Sequence, residues 1–351
     1  MVAETIRQVW ITGQGGPERL QVREVPVCRP RAGEVRIAAA AVGVNFADVM
    51  MRLGLYPDAP KLPAVPGYEV AGVVEAVGPD VAGDLVGQPV VAICNFGGYS
   101  EAVCCDHRLV WPLPAGTDPI RAAALPVNYL TAWQMLRVMA PVTADDTVLI
   151  HSAAGGVGQA AVQLCRLAGA RIIATASPAK HDGLRGQGVD TVLDSRERRF
   201  AAAVRAATGG RGVDIALEPR NGRWIMESYR CLARCGRLVL FGFSAAAVGR
   251  RSGTWSALRT LAQVPWLRLN PIRLMNDNTA LAGVNLGRMW DQHERTDGWF
   301  REILRLYARG ELAPRIDGVF GFADAAAAHR RLEERANVGK VILVPEKDGT
   351  T

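Results

Sequence analysis

The stretch Val148-Leu-Ile-His-Ser-Ala-Ala-Gly-Gly-Val-Gly-Gln-Ala-Ala-Val-Gln-Leu164 changes its hydrophobic period halfway along. Val148, Leu149 and Ile150 form a short apolar run that predicts a buried parallel strand. Ala153, Gly155 and Gly158 follow at the spacing of a dinucleotide fingerprint, with alanine in its first glycine slot. From Gln159 the period becomes helical, with Ala161, Leu164, Cys165 and Ala168 three or four residues apart. Strand, tight turn and helix thus come in the order that lets a pyrophosphate approach bare backbone. The N–H groups of the first helical turn then face its charge. Ala154, Gly155, Gly156, Val157 and Gly158 are the residues expected to cradle it.

A second apolar run, Arg171-Ile-Ile-Ala-Thr-Ala-Ser177, ends where such a site places its ribose-reading residue, about 20 positions on. That residue is Ser177, where an acid would hold a 2′-hydroxyl and repel a 2′-phosphate. A neutral donor followed by Lys180 favours NADPH over NADH. The plainer alternative is that Ser177, ahead of Pro178, starts the next helix and Lys180 is merely solvated.

Outward from this turn, alternating strands and helices run from Thr147 to about Leu286. Strands are expected at 148–151, 171–175, 191–193, 213–217, 237–242 and 280–285. That is the pattern of a doubly wound parallel sheet. Residues 1–126 read instead as many short strands separated by Gly and Pro, a barrel-like β-rich domain. Residues 288–351 return to mixed structure: an amphipathic helix from Trp299 stopped by Gly310, a helix from Asp324 to Arg335, and a closing strand at Val341. The domains are therefore expected at 1–126, 127–287 and 288–351. Residues 244–278, with Trp255, Trp266 and five arginines, lack clear alternation and read as a helical excursion. It is either a lid or a surface for an apolar ligand or membrane.

The 351 residues suffice for two domains with sizeable cores, and no apolar run reaches the ~18 residues of a membrane span. The first residues include Glu4 and no apolar core, so no secretory leader is expected. Seven cysteines without a regular framework point to a reducing cytoplasm. The net charge of +7 raises the question of nucleic acid, but the arginines are scattered and no basic run alternates with aromatics. A phosphorylated cofactor profits from the same field. Only four lysines occur, and two of them, Lys180 and Lys340, lie in cofactor-like segments.

Taken together, Gly43-Val-Asn-Phe-Ala-Asp48, Arg52-Leu-Gly-Leu-Tyr56, Pro66-Gly-Tyr-Glu69, Leu125-Pro-Val-Asn-Tyr-Leu-Thr-Ala132, Ala153-Ala-Gly-Gly-Val-Gly158, Thr175-Ala-Ser-Pro-Ala-Lys-His181 and Asn337-Val-Gly-Lys-Val-Ile-Leu-Val-Pro345 resemble the medium-chain dehydrogenase/reductase superfamily. Within it the resemblance is to the zinc-free quinone oxidoreductase branch, closest to the vesicle amine transport protein homologues. It implies an α/β fold: a GroES-like catalytic domain made from both chain ends, a Rossmann domain, a cleft between them and a homodimer. At the three catalytic zinc positions of metal-dependent relatives, motif matching puts Asn45, Tyr68 and Val127, a poor donor set. Cys94, Cys104 and Cys105 lack the spacing of a structural zinc lobe.

The implied activity is reduction of quinones or activated C=C bonds (enones, enoyl thioesters) by hydride from NADPH. The alternative is an NADPH-bound lipid- or partner-binding protein. In related enoyl thioester reductases the tyrosine of an Asn-x-x-Asp…Gly-x-Tyr motif gives the proton, and Asn45, Asp48, Gly54 and Tyr56 match it. A phenol with a pKa of ~10 is protonated at neutral pH. Tyr56 is thus either donor or cleft wall. Asn45 would hold the nicotinamide ribose or carboxamide, and Asp48 would fix a loop. By family position, Thr131, Phe241, Gly242, Phe243, Asn285 and Lys340 are further cofactor contacts. His151 reads as a core imidazole. Cys231 and Cys235 read most simply as core thiols, with a shared helix face as the alternative. Glu218-Pro-Arg-Asn-Gly222 replaces the family's Asp-x-x-Gly-Gly and brings Arg220 and Asn221 near the expected adenosine end.

Overall fold

A computed structural model describes residues 4–197, 200–242 and 269–346, with Ser244, Leu258 and Ala262. The chain divides into two compact units. One comprises Met1–Val127, Met289–Arg305 and Ala313–Thr351, the other Asn128–Arg288 and Leu306–Leu312.

Strands β1 (Thr5–Ile11) and β2 (Leu20–Pro26) pair antiparallel. They are followed by β3 (Glu34–Val44), β4 (Glu69–Val77), β5 (Pro89–Ile93), β6 (Ala102–Asp106) and β7 (Val110–Pro112). The second unit holds β8 (Thr147–Ile150), β9 (Arg171–Ala176), β10 (Thr191–Asp194), β11 (Val213–Glu218), β12 (Leu232–Leu240) and β13 (Ala280–Gly283). The chain then gives β14 (Ile316–Gly321) and β15 (Lys340–Val344) back to the first unit.

In the first unit β14-β15-β3-β4-β5-β7 form one sheet, with β6 also on β3. β15 lies antiparallel to β3, with Val341 opposite Val44. The last strand of the chain is thereby set beside the residue that precedes Asn45. Val35, Ile37, Val70, Val90, Tyr99, Phe322 and Leu343 fill the core beneath. Gly72 lies inside β4 rather than breaking it, because a Cβ there would overlap the Ala38 carbonyl where β3 bulges.

The second unit is a six-stranded parallel sheet in the order β10-β9-β8-β11-β12-β13. Numbered within the unit this is 3-2-1-4-5-6, the doubly wound order of dinucleotide-binding sheets. β8 is buried along its whole length, as its apolar run requires. Two sequence expectations need correction. β12 starts at Leu232, not near 237, because its pairing with β11 shifts register between Val213 and Ile215. Cys231 and Cys235 share no helix: Cys231 precedes β12, and Cys235 lies in it, exposed, at φ 62°. Most of the 244–278 excursion, with Trp255 and Trp266, lies outside the described residues; of it a helix Pro271–Asp277 is described.

Candidate active site

In the β-rich unit the chain leaves β3 at Asn45, extended, and turns into the helix Phe46–Arg52. Asp48, in the first turn, accepts the Asn45 N–H at 2.7 Å and the Gly67 N–H at 3.0 Å. It therefore fixes the loop carrying Tyr68 to the start of the helix. Tyr99 donates to Asp48 at 3.1 Å and lies 3.1 Å from His329 Nε2, while Arg52 Nε donates to His329 Nδ1 at 3.4 Å. Arg52 as donor leaves the imidazole proton on Nε2, so the buried chain runs Arg52, His329, Tyr99, Asp48 with each group donating to the next. Burial keeps His329 neutral, its pKa lowered to about 3 with help from the Arg52 charge. Burial raises Asp48 to about 7 against the opposing pull of its N–H donors and Lys340.

Beside this chain, Lys340 Nζ donates to Asn45 Oδ1 at 2.6 Å and forms an ion pair with Glu69 Oε1. Asn45 Nδ2 donates to the same Glu69 oxygen at 2.8 Å, and Val127 N–H donates to Oε2 at 2.8 Å. Glu69 is wholly buried and Lys340 is 3% exposed. An ammonium and a carboxylate thus grip the two ends of one amide and fix which end donates. Lys340, a cofactor contact by family position, turns its ammonium onto Asn45 and Glu69.

Tyr56 is partly exposed, edge-on to Tyr68 (6.2 Å, 63°) and to Phe96 (6.4 Å, 78°). It lines a cavity of about 480 Å³ together with Gln14, Met51, Gly54 and Lys61. The Tyr68 hydroxyl is buried beside Tyr56. Burial, reinforced by the Asp48 charge, raises it far above the ordinary phenol range. Sequence reading passed over Tyr68 except as a missing zinc ligand. Its signal was only its neighbour, Glu69.

In the parallel unit Gly155 caps the helix Gly156–Leu167 and, as a glycine, offers no side-chain cap of its own. The first-turn N–H groups consequently face outward past a residue without Cβ. Gly158 is required for another reason: a Cβ there would overlap the Ser152 carbonyl and Ala153. Ser152 holds φ at 55°, a conformation that tightens the turn. Gly156 packs against the Asn128 amide, which a Cβ would strike at 2.5 Å. Ala154 is buried in the turn, Val157 half-buried.

Ser177 and Lys180 follow the end of β9, with Ser177 at the cap of a short turn whose first residue is Pro178. Ser177 thus starts that turn, as the plainer reading has it, while its side chain makes no capping hydrogen bond. Phe241 and Gly242 follow β12 and Asn285 follows β13. Gly242 O accepts from Asn221 Nδ2 at 3.3 Å, and Asn285 accepts from Gly287 N–H. All of these lie beyond the carboxyl ends of parallel strands, where doubly wound sheets bind ligands. Thr131 is buried in the helix Pro126–Trp133, and Phe243 lies outside the described residues.

Glu218 ends β11 beside β8, at the point where strand order reverses. Arg220 folds back on it, with Nε 3.0 Å from Oε1 and Nη2 2.8 Å from Oε2, and its guanidinium lies 4.1 Å from the centre of the Trp224 ring. Ser228 donates to Glu218 at 2.6 Å and lies 3.2 Å from His151 Nε2. Burial, with the Arg220 charge, lowers His151 to about 3, so it is a neutral, hydrogen-bonded core imidazole. Arg220 is thereby committed to the wall below the sheet edge.

Residues 31–115 match the family described as alcohol dehydrogenase GroES-like domain, and residues 187–343 match the one described as zinc-binding dehydrogenase. The chain is 34% identical over 345 residues to the synaptic vesicle membrane protein VAT-1 homolog of Danio rerio, covering 97% of this chain and 70% of that protein. The chain belongs to the medium-chain dehydrogenase/reductase superfamily. Within this superfamily it falls in the quinone oxidoreductase-like branch near the VAT-1 homologues. The superfamily's GroES-like and Rossmann-like architectures correspond to the two units. Among solved members, mycobacterial Rv1454c complexed with NADPH superposes with a TM-score of 0.84 at 33% identity, covering 97% of this chain and 100% of that one. CurK enoyl reductase superposes at 0.82 with 30% identity, covering 97% and 99%. An oxidoreductase follows as the general class.

Proposed function

We propose that this chain reduces quinones or C=C bonds conjugated to a carbonyl, using NADPH and no metal. The observation that carries the reading is the helix start at Gly155, set at the carboxyl edge of a 3-2-1-4-5-6 sheet. It fits a pyrophosphate, since bare backbone and helix N–H groups are what that group needs. The likeness to an NADPH complex and to an enoyl reductase supports it.

Bound NADPH would supply a hydride to the electron-poor carbon. The turn from Ala154 to Gly158 would hold the pyrophosphate, and Ser177 with Lys180 the 2′-phosphate. Asn45, its amide held by Lys340 and Glu69, would present the remaining lone pair of its Oδ1 to the nicotinamide side. Tyr56 Oη would give its proton to the substrate atom next to the reduced carbon. At the three positions where metal-dependent relatives carry zinc ligands, this chain offers an amide already bonded twice, a phenol and a valine. These do not fit zinc, although the matched family is described as zinc-binding. Small-molecule substrates, and a homodimer in the cytoplasm, complete the proposal. No described helix is long and apolar enough to cross a membrane.

The test is NADPH oxidation with quinones, enones and enoyl thioesters, comparing wild type and Tyr56→Phe. Enone turnover should fall about 100-fold in the variant, the lower end of general-acid contributions, with NADPH affinity unchanged. No turnover on any acceptor overturns the enzyme reading; unchanged turnover in the variant removes Tyr56 as donor. A second reading, a lipid- or partner-binding protein, has one observation in its favour: Ile272 and Met275 stand 71% and 75% exposed on one short helix. Co-sedimentation with anionic liposomes at low salt separates the two.

A further inference from the structure

Cys28 lies in the connection from β2 to β3, and Cys104 lies on β6 opposite Arg36 of β3. Their sulfurs are 2.7 Å apart, against about 2.05 Å in a disulfide. Both thiols are half-buried, so a small oxidant reaches them. Cys94, Cys105, Cys165 and Cys231 are buried. The pair is set well apart from Asn45. Arg36 and Asn45 are nine residues apart along β3, about 30 Å of extended chain, and nothing in the proposed reduction uses either cysteine.

We propose that Cys28 and Cys104 are a redox site of the β-rich unit, forming a reversible disulfide with a peroxide as oxidant. The two thiols are unequal. The hydrogen bond from Cys104 lowers Cys28 to about 7, with the Arg36 charge adding to it and burial opposing, while Cys104 is pushed up. Arg36 reaches this position by donating to the Cys28 carbonyl at 3.2 Å. Cys28 is therefore the nucleophile and Cys104 the resolving thiol. The Cys28 thiolate attacks one peroxide oxygen. The O–O bond breaks, sulfenic acid forms on Cys28, and the departing oxygen takes up a proton. Cys104 Sγ then attacks the Cys28 sulfur; the S–S bond forms, the S–O bond breaks, and the hydroxide leaves as water with the Cys104 proton. Two thiols and one hydrogen peroxide become one disulfide and two waters. A dithiol returns the two electrons by exchange.

The test treats the whole chain with one equivalent of hydrogen peroxide, blocks remaining thiols, digests it and reads the peptides by mass. The expected product joins the Cys28 and Cys104 peptides, two hydrogens lighter, and dithiothreitol separates them. The bond would close a loop across 76 positions, so the β-rich unit should melt roughly 5–10 °C higher when oxidised. Cys28→Ser and Cys104→Ser, each a small and partly exposed change, should each remove the linked peptide and the melting shift. Recovery of both cysteines as blocked thiols overturns the proposal. A sulfinic acid left on Cys28 with Cys104 free, or a linked peptide joining some other pair, does so too.

Discussion

Two fully buried glutamates, one in each unit, each meet a cation, and they do so in opposite ways. Glu218 takes its partner from two residues along the chain, and the Arg220 guanidinium spans both carboxylate oxygens. It then packs on Trp224, and the network ends in Ser228 and His151. Glu69 takes its partner from 271 residues away, across the β3–β15 pairing. Lys340 is a compact donor with hydrogens to spare, and it spends one on Asn45. The local pair closes on itself and makes a wall. The distant pair ends on an amide and gives that amide a direction. Burying a charge says little about function; where the network stops says more.

Removing the ammonium should have the largest effect. Lys340→Met leaves Glu69 buried without its cation, which costs about 3–5 kcal/mol, measured by urea unfolding. Adding Glu69→Gln should return most of that stability. Turnover with an enone should nevertheless stay low in the double variant, by about tenfold or about 1.4 kcal/mol, because Asn45 has lost the donor that orients it. Full recovery of turnover would reduce Lys340 to a counter-ion and erase the contrast.

Arg220→Met is the matching cut in the other unit. Its cost should be about 3 kcal/mol, the lower end for a broken buried pair, because Ser228 still donates to Glu218. Here turnover per folded molecule should be unchanged. A rise in the KM for NADPH at unaltered stability would mean that this network serves the cofactor after all.

The contrast extends to acid. In the parallel unit His151 is held near 3 in the folded chain against about 6.5 unfolded. The unfolded state takes up the proton first, so stability is complete above about 6.5 and falls as pH drops toward 3. His329 does the same in the β-rich unit, but Asp48, raised to about 7, does the reverse. Between about pH 6.5 and 4 the folded state protonates Asp48 more readily than the unfolded state does, which offsets His329. The parallel unit should therefore lose about 1.4 kcal/mol per pH unit in this window, while the β-rich unit stays nearly level. Hydrogen exchange resolved by peptide and corrected for intrinsic rate measures each unit separately. Equal losses in both would show that Asp48 is ionised at neutral pH.

Much of the parallel unit was legible because its determinants are close in sequence. The apolar run at 148, the glycine spacing and the helical period all fall within 20 residues, and the strands recur at readable intervals. β12 was misplaced because its first half follows a register shift that periodicity does not encode. The β-rich unit hid its site for the opposite reason. Asn45, Glu69 and Lys340 lie on three strands or their ends, and only the antiparallel pairing of β3 with both β15 and β4 brings them together. A motif reading can name Asn45 and Lys340 as interesting; it cannot tell that each is the other's partner. Tyr99 and His329, equally far apart, left no mark in the sequence, and nothing there joined them to Arg52.

The smallest expected effect tests the edge of the parallel sheet. Lys180 stands in the turn after β9, beside a serine whose side chain is not used to cap that turn. If the two recognise a 2′-phosphate, Lys180→Ala removes one charge-assisted contact that NADPH has and NADH lacks. A partly exposed cation–phosphate contact of this kind is worth roughly 1.5 kcal/mol, about a tenfold rise in Kd for NADPH. The Kd for NADH should be unaltered, and the NADPH preference should shrink as salt is added, since screening acts on the phosphate term alone. Titrating both cofactors against wild type and variant, at low and moderate salt, gives four ratios. Equal weakening of both cofactors would place Lys180 in the turn's own structure and leave the discrimination to Ser177.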